Sequence, residues 1–166
     1  MEAMAVEMET NPHIDWFMRL DADSIIVDPN FNLPSLLDTK HSFLGTSDHN
    51  GLCTGVFWAK NSGWAAQLLR TISFLGEMDA KHWSEFDDRN TWDQNTLKAL
   101  IRYFPRIKKH VGTVIDAIVQ NPKSKFNQGA FMMHYWSNSG QEMIAAKMRE
   151  VIANGWSRKG FYQWGS

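Results

Sequence analysis

The sequence predicts an α/β fold in a single domain over residues 1–166. Three observations predict it. Short runs rich in β-branched and aromatic residues alternate with longer segments whose apolar residues recur at helical spacing. Turn residues, chiefly Asn-Pro, Asp-Pro-Asn and Gly, punctuate the junctions. The length, 166 residues, is that of one domain able to bury a sizeable core. Strands alternating with helices indicate a layered α/β architecture.

Composition narrows the function classes. Net charge is −1, so nothing points to nucleic acid or an anionic membrane surface. The single cysteine, Cys53, allows no internal disulfide and fits a reducing compartment. No apolar run reaches the length of a transmembrane helix, and the N-terminus lacks the basic-then-apolar pattern of a signal peptide. On these grounds the chain reads as soluble and cytoplasmic. Eight tryptophans are many for this length. They serve either as core or as platforms for flat apolar faces such as a sugar ring or a nucleobase.

Residues 1–14 form an N-terminal helical segment. Good helix formers fill positions 1–10, and Asn11-Pro12 ends the helix. A strand follows over about Asp15–Leu20, of the kind that usually sits in the middle of an α/β sheet. It runs into Asp21-Ala22-Asp23 and then the β-branched run Ser24–Val27. In a regular strand, side chains at i and i+2 share one face. Two carboxylates so placed repel unless a cation lies between them. Asp-x-Asp at a strand end therefore suggests a hard divalent metal with oxygen ligands, Mg²⁺ or Mn²⁺. The competing reading is a strand end whose acids cap a turn or face water.

Asp28-Pro29-Asn30 signals a turn, and Asn32–Asp38 a short helix with Pro34 in its first turn. Ser42–Thr46 reads as a strand. Leu52–Ala59 is another, with Gly55 inside it marking either a bulge or close approach of a backbone or ligand. A helix over about 63–75 follows, capped by Asn61 or Ser62, with Trp64, Ala65, Leu68, Leu69, Ile72 and Leu75 as its buried stripe and Gly76 as its stop. Residues 77–90 are a charged loop. The next helix runs from near Thr91 to about Tyr103, with Leu97, Leu100, Ile101 and Phe104 buried. Val111–Ile115 and Ala130–Trp136 read as strands. Ser139–Glu142 is a capping box opening a last helix. An aromatic and basic tail, residues 156–166, either folds over an anionic ligand or is packing.

Four of these stretches, in this order, resemble nucleotide-sugar-dependent glycosyltransferases of the A-type fold, in particular the galactosyl, mannosyl and xylosyltransferase group of yeast mannan and plant xyloglucan enzymes. They are Trp16–Pro29, Asn50–Trp64, Trp92–Leu97 and Gly129–Trp136. The resemblance implies a mixed sheet flanked by helices, N-terminally short. It implies transfer of a hexose or pentose from a nucleoside-diphosphate sugar to a glycan or other hydroxyl acceptor, with retention of configuration.

The resemblance also assigns roles. Asp21 would touch the donor's ribose or the metal, Asp23 would be the firmer ligand of Mn²⁺ (or Mg²⁺), and His134 would complete the metal site; an imidazole ligand suits Mn²⁺ better. Without the resemblance, His134 reads as a strand-end histidine bonded to backbone. Thr54 and Gly55 would line the donor pocket. Asp93 and Gln94 would sit at the sugar's reacting face, where Asp93 positions the donor, accepts an acceptor hydroxyl or stabilises positive charge. Asp93 also suits a helix N-terminus on dipole grounds alone. Trp92 and Trp136 are either sugar platforms or core.

Two departures stand out. Cys53 replaces the family's Asn in Asn-Thr-Gly. Only about fifteen residues precede the Asp-x-Asp strand, where family members carry a βαβ portion for the nucleotide base. The expectation is a fragment, a minimal enzyme, or a chain completed by another subunit, with a homo-oligomer as one form. Two other readings stand beside a transferase: a non-catalytic binding or scaffold subunit that keeps the fold, and a different metal enzyme such as a phosphoesterase.

Overall fold

The computed structural model describes residues 1–26, 28–37, 40–48, 51–78, 92–114, 119–120 and 131–134, together with Glu142, Ala145, Ala146 and Arg149, which are helical. Most of the 77–90 loop, most of the last helix and the 156–166 tail lie outside the described residues. Among the described residues, two sheets and a helical layer make up the fold. The first sheet has the order β1(Trp16–Leu20), β4(Gly51–Lys60), β3(Phe43–Asp48), β5(Val111–Thr113). Its β1–β4 and β4–β3 pairs are antiparallel and its β3–β5 pair is parallel, so the sheet is mixed. The second sheet has the order β2(Ser24–Ile26), β7(Met132–His134), β6(Val119–Gln120).

Period-two alternation along β4 sends side chains to two separate cores. Phe57 and Ala59 join Phe43 in a core shared with α1(Glu2–Thr10), α2(Gly63–Met78) and α3(Trp92–Tyr103). Phe43 and Phe57 stack there with ring centroids 4.7 Å apart. Val56 and Trp58 face the other way. They join Leu44, Val114, Phe131 and Met132, with Trp16 and Met18 of β1 and Leu33 and Leu36 of a 3-10 turn at the margin. Both faces of the first sheet are thus covered, and β4 is buried almost along its whole length.

The helices follow from local chemistry. Ser62 caps α2 by accepting the Ala65 N–H at 3.2 Å. Asn61 instead ties the chain before β1, donating to the carbonyls of Asn11 and Ile14. Arg70 on α2 donates to Glu9 and Glu2 on α1, which sets the two helices side by side. Trp64 stacks on His110 at 4.3 Å between centroids. Among the described residues, no helix is long and apolar enough to cross a membrane.

The N-terminal helix stops at Thr10, as Asn11-Pro12 predicts, and Asn11 turns its amide back onto the Glu7 carbonyl. Three expectations change. Among the described residues, the strand before the acids ends the order of its sheet rather than sitting in the middle, because the residues ahead of it form helix α1, which offers no ladder. Helix α2 continues through Gly76 to Met78. A single interior glycine costs about 1 kcal/mol against alanine, less than the packing of Ile72 and Leu75 returns. Phe104 is 55% exposed; α3 ends at Tyr103, and Phe104 only precedes the short helix α4(Pro105–Lys108).

Candidate active site

β1 delivers the first acid and then stops. Leu20 pairs with Val56, the Asp21 N–H donates to the Gly55 carbonyl at 2.8 Å, and a turn closes with Ser24 N–H on the Asp21 carbonyl. Asp21 and Asp23 therefore flank a turn between two sheets. Their side chains converge through that turn, not through the i, i+2 rule of a continuous strand. The third member comes from β7. Ser24 pairs with His134 in the antiparallel register, which brings the imidazole to the turn. Asp23 Oδ1 lies 3.2 Å from His134 Nε2, and Asp21 Oδ2 lies 3.8 Å from it. One ligand atom from each residue falls within 4.8 Å of the others.

Two features show that these residues fit a divalent cation. Asp23 Oδ1 is buried and has no hydrogen-bond partner among the described residues, despite its approach to His134; the buried Ser24 hydroxyl next to it has none either. Buried polar atoms of this kind are costly unless something satisfies them. Burial also pushes the Asp21 carboxyl above its ordinary value, the carboxylates of Asp23 and Asp93 add to the effect, and Arg19 and His134 oppose it. A cation would relieve that crowding. Two carboxylates and an imidazole form a donor set that Mn²⁺ accepts readily.

Gly55 stands against this cluster because β4 bulges. Gly45 of β3 faces Phe57, but the next residue, Thr46, faces Cys53, so Thr54, Gly55 and Val56 have no ladder partner on β3; the Thr46 hydroxyl instead donates to the Val56 carbonyl at 3.3 Å. Bulges of this kind re-aim the chain beside sites. A Cβ on Gly55 would come within 2.3 Å of His134 Cε1 and 2.8 Å of Asp21 Oδ2. Both readings of this glycine hold together: it lies in a bulge, and it permits close approach.

The bulge also receives α3. The Thr54 N–H donates to Gln94 Oε1 at 3.3 Å, and Thr54 Oγ1 donates to Asp93 Oδ1 at 3.1 Å. Asp93 Oδ1 accepts the Gln94 N–H as well, and Asp93 Oδ2 accepts from Arg19 Nη1. Arg19 Nη2 donates to Asp21 Oδ1 at 3.1 Å. Thus Asp21, Asp23, His134, Gly55, Thr54, Asp93 and Gln94 belong to one connected constellation. Arg19 was not among the residues the motifs single out. Its signal is plain in retrospect: a lone charge in the apolar run Trp16–Leu20, on the face shared with Phe17, must meet a partner inside. Cys53 turns its thiol back to the Gly55 N–H at 3.4 Å and is buried. The Trp92 side chain and all of Trp136 lie outside the described residues.

Comparison with known proteins adds three findings. The model of the galactosyl transferase GMA12/MNN10 family matches residues 35–158. That span includes Thr54, Gly55, Asp93, Gln94 and His134, while Asp21 and Asp23 precede it. The fold is similar to the crystal structure of a glycosyltransferase involved in the glycosylation of the major capsid of PBCV-1, with a TM-score of 0.66 and 18% identity over 86% of this chain and 72% of that one. No curated protein sequence matches the chain.

Proposed function

The chain belongs to the galactosyl transferase GMA12/MNN10 family, and from that premise we propose that it moves a hexose or pentose from a nucleoside-diphosphate sugar to a hydroxyl of a glycan or other acceptor, with retention at the anomeric carbon. Asp21, Asp23 and His134 hold a divalent cation, Mn²⁺ or Mg²⁺, for that transfer. The observation that carries this reading is the meeting of Asp21, Asp23 and His134 within 4.8 Å, beside a backbone that only glycine allows to come so near.

When bound, the cation supplies Lewis-acid stabilisation of the charge that grows on the departing diphosphate. The chain's own groups do the rest. Gly55 and Thr54 present backbone to the donor without a side chain intruding at Gly55. Asp93 has both carboxylate oxygens engaged, Oδ1 by Thr54 and the Gln94 N–H, Oδ2 by Arg19. That engagement supports an anchoring role: Asp93 fixes the first turn of α3, and with it Gln94, against the donor pocket. It weighs against Asp93 as the base for the acceptor hydroxyl, since Oδ1 already accepts two hydrogen bonds and Oδ2 is paired with the Arg19 guanidinium.

The test is calorimetric titration of the purified chain with UDP and with GDP, each with and without Mn²⁺. The reading expects one nucleotide to bind, and only with Mn²⁺ present. Failure of both nucleotides under both conditions would refute it. One observation favours a second reading, a non-catalytic binding or scaffold subunit. Cys53 stands where the resembled enzymes carry Asn, and its Sγ engages the Gly55 N–H instead of facing a sugar. Such a subunit binds nucleotide but transfers no sugar.

A further inference from the structure

We propose that Arg19 is a positioning residue that sets the cation-holding acids and the donor-facing end of α3 at a fixed separation through a single guanidinium. The proposal rests on the cation reading above and goes beyond it in naming what aims the ligands. Arg19 lies on β1 opposite Phe57, and its guanidinium carbon sits 5.9 Å from the centre of that ring. The aromatic face holds the stem on the helical side of the sheet. From there the fork divides: Nη2 takes Asp21 Oδ1 and Nη1 takes Asp93 Oδ2.

The division has a consequence for each acid. Asp21 has Oδ1 drawn to Arg19, so Oδ2 is the oxygen turned toward His134 and the backbone of Gly55. Asp93 has Oδ2 drawn to Arg19, so Oδ1 is the oxygen left for Thr54 and the Gln94 N–H. A planar fork with donors in fixed directions can serve two carboxylates at once; a lysine ammonium on a flexible stem cannot aim both.

Positioning and simple charge predict opposite signs. Arg19 is a cation beside a cation site. If only its charge mattered, removing it would tighten Mn²⁺ binding, because Coulomb repulsion would fall. If it aims Asp21, removing it weakens binding, as loss of groups that orient metal ligands does by about 10- to 100-fold.

The experiment titrates Mn²⁺ alone into the full chain and into Arg19→Met and Arg19→Lys, at one pH and ionic strength, with a cation-free melting curve for each. The proposal expects Mn²⁺ to bind the parent chain and both variants to bind it about 10- to 100-fold more weakly. Unchanged or tighter binding by Arg19→Met, or parental affinity in Arg19→Lys, overturns it while leaving the cation site standing. If Arg19→Met does not melt as a folded protein, Arg19→Lys decides alone. Absence of Mn²⁺ binding by the parent chain overturns the cation reading and this proposal together.

Discussion

Gly55 and His134 are in contact through the one atom that Gly55 lacks: a Cβ there would reach 2.3 Å from the imidazole Cε1. Gly55→Ala must therefore displace His134, Asp21 or the bulge itself. Forcing a methyl into so tight a place costs about 1–3 kcal/mol. The variant should fold with a lower melting temperature and bind Mn²⁺ at least about tenfold more weakly. Thermal melting paired with Mn²⁺ titration checks both halves. Parental affinity in the alanine variant would mean that the cluster is not the cation site.

Asp23 offers a cleaner separation of fold from function. Its Oδ1 is buried without a hydrogen bond among the described residues, so the carboxylate contributes little to the cation-free fold. Asp23→Ala should leave the melting temperature of the cation-free chain unchanged or raised and abolish Mn²⁺-dependent nucleotide binding. Calorimetry on the variant measures the second effect. Unfolding of the variant, or undiminished binding, would count against the assignment.

The Asp21 carboxyl titrates above its ordinary value, chiefly through burial. A raised value means that the folded chain holds this proton more tightly than the unfolded chain does. The resulting stabilisation is complete below the unfolded value, near 3.8, and is lost as pH rises through the raised folded value. At neutral pH the ionised group is a burden on the cation-free fold. Asp21→Asn should then raise the cation-free melting temperature at pH 7 and flatten its acid dependence. With Mn²⁺ present the order should reverse, because the cation binds the carboxylate form. Melting curves across pH, with and without Mn²⁺, read the crossing.

For Asp93, the size of the rate loss distinguishes its roles. A general base contributes about 10²- to 10⁴-fold to rate. As an anchor whose oxygens are both engaged, Asp93 should tolerate Asn with a smaller loss in kcat and a lower melting temperature, since an amide nitrogen would confront Arg19. Thr54→Val should give a similar, milder pattern by removing the hydroxyl from Asp93 Oδ1. Steady-state kinetics on both variants compares them. A fall near 10⁴-fold in Asp93→Asn with unchanged melting would identify a base instead.

Which of these features are legible before the structure depends on how local their cause is. The runs that become β1, β3, β4, β5 and β7 and the stripes of α2 and α3 are local patterns, and periodicity locates them. The bulge at Thr54–Val56 is set by the register of β4 against β3, which no property of the β4 sequence dictates beyond the presence of Gly55. The Asp-x-Asp spacing is visible, but the face shared by the two acids comes from a turn after Leu20 and from a distant strand carrying His134. Arg19 is visible as a charge among apolar neighbours; its second partner, Asp93, lies on another element far along the chain. Helix α2 outruns Gly76 because tertiary packing outweighs one poor helix residue.

The cluster joins an early turn, which leads from β1 into the second sheet, to a late strand of that second sheet. Its three side chains can meet only after most of the chain has been laid down and the second sheet has closed, so the cluster is a product of folding rather than a seed for it. An ion that binds only the finished arrangement acts as a latch on it. At a free concentration 100 times its dissociation constant, such a ligand adds about 2.7 kcal/mol to global stability. Amide exchange in β2 and β7, the strands on either side of the latch, should slow on adding Mn²⁺, while exchange in α1 follows only the global change.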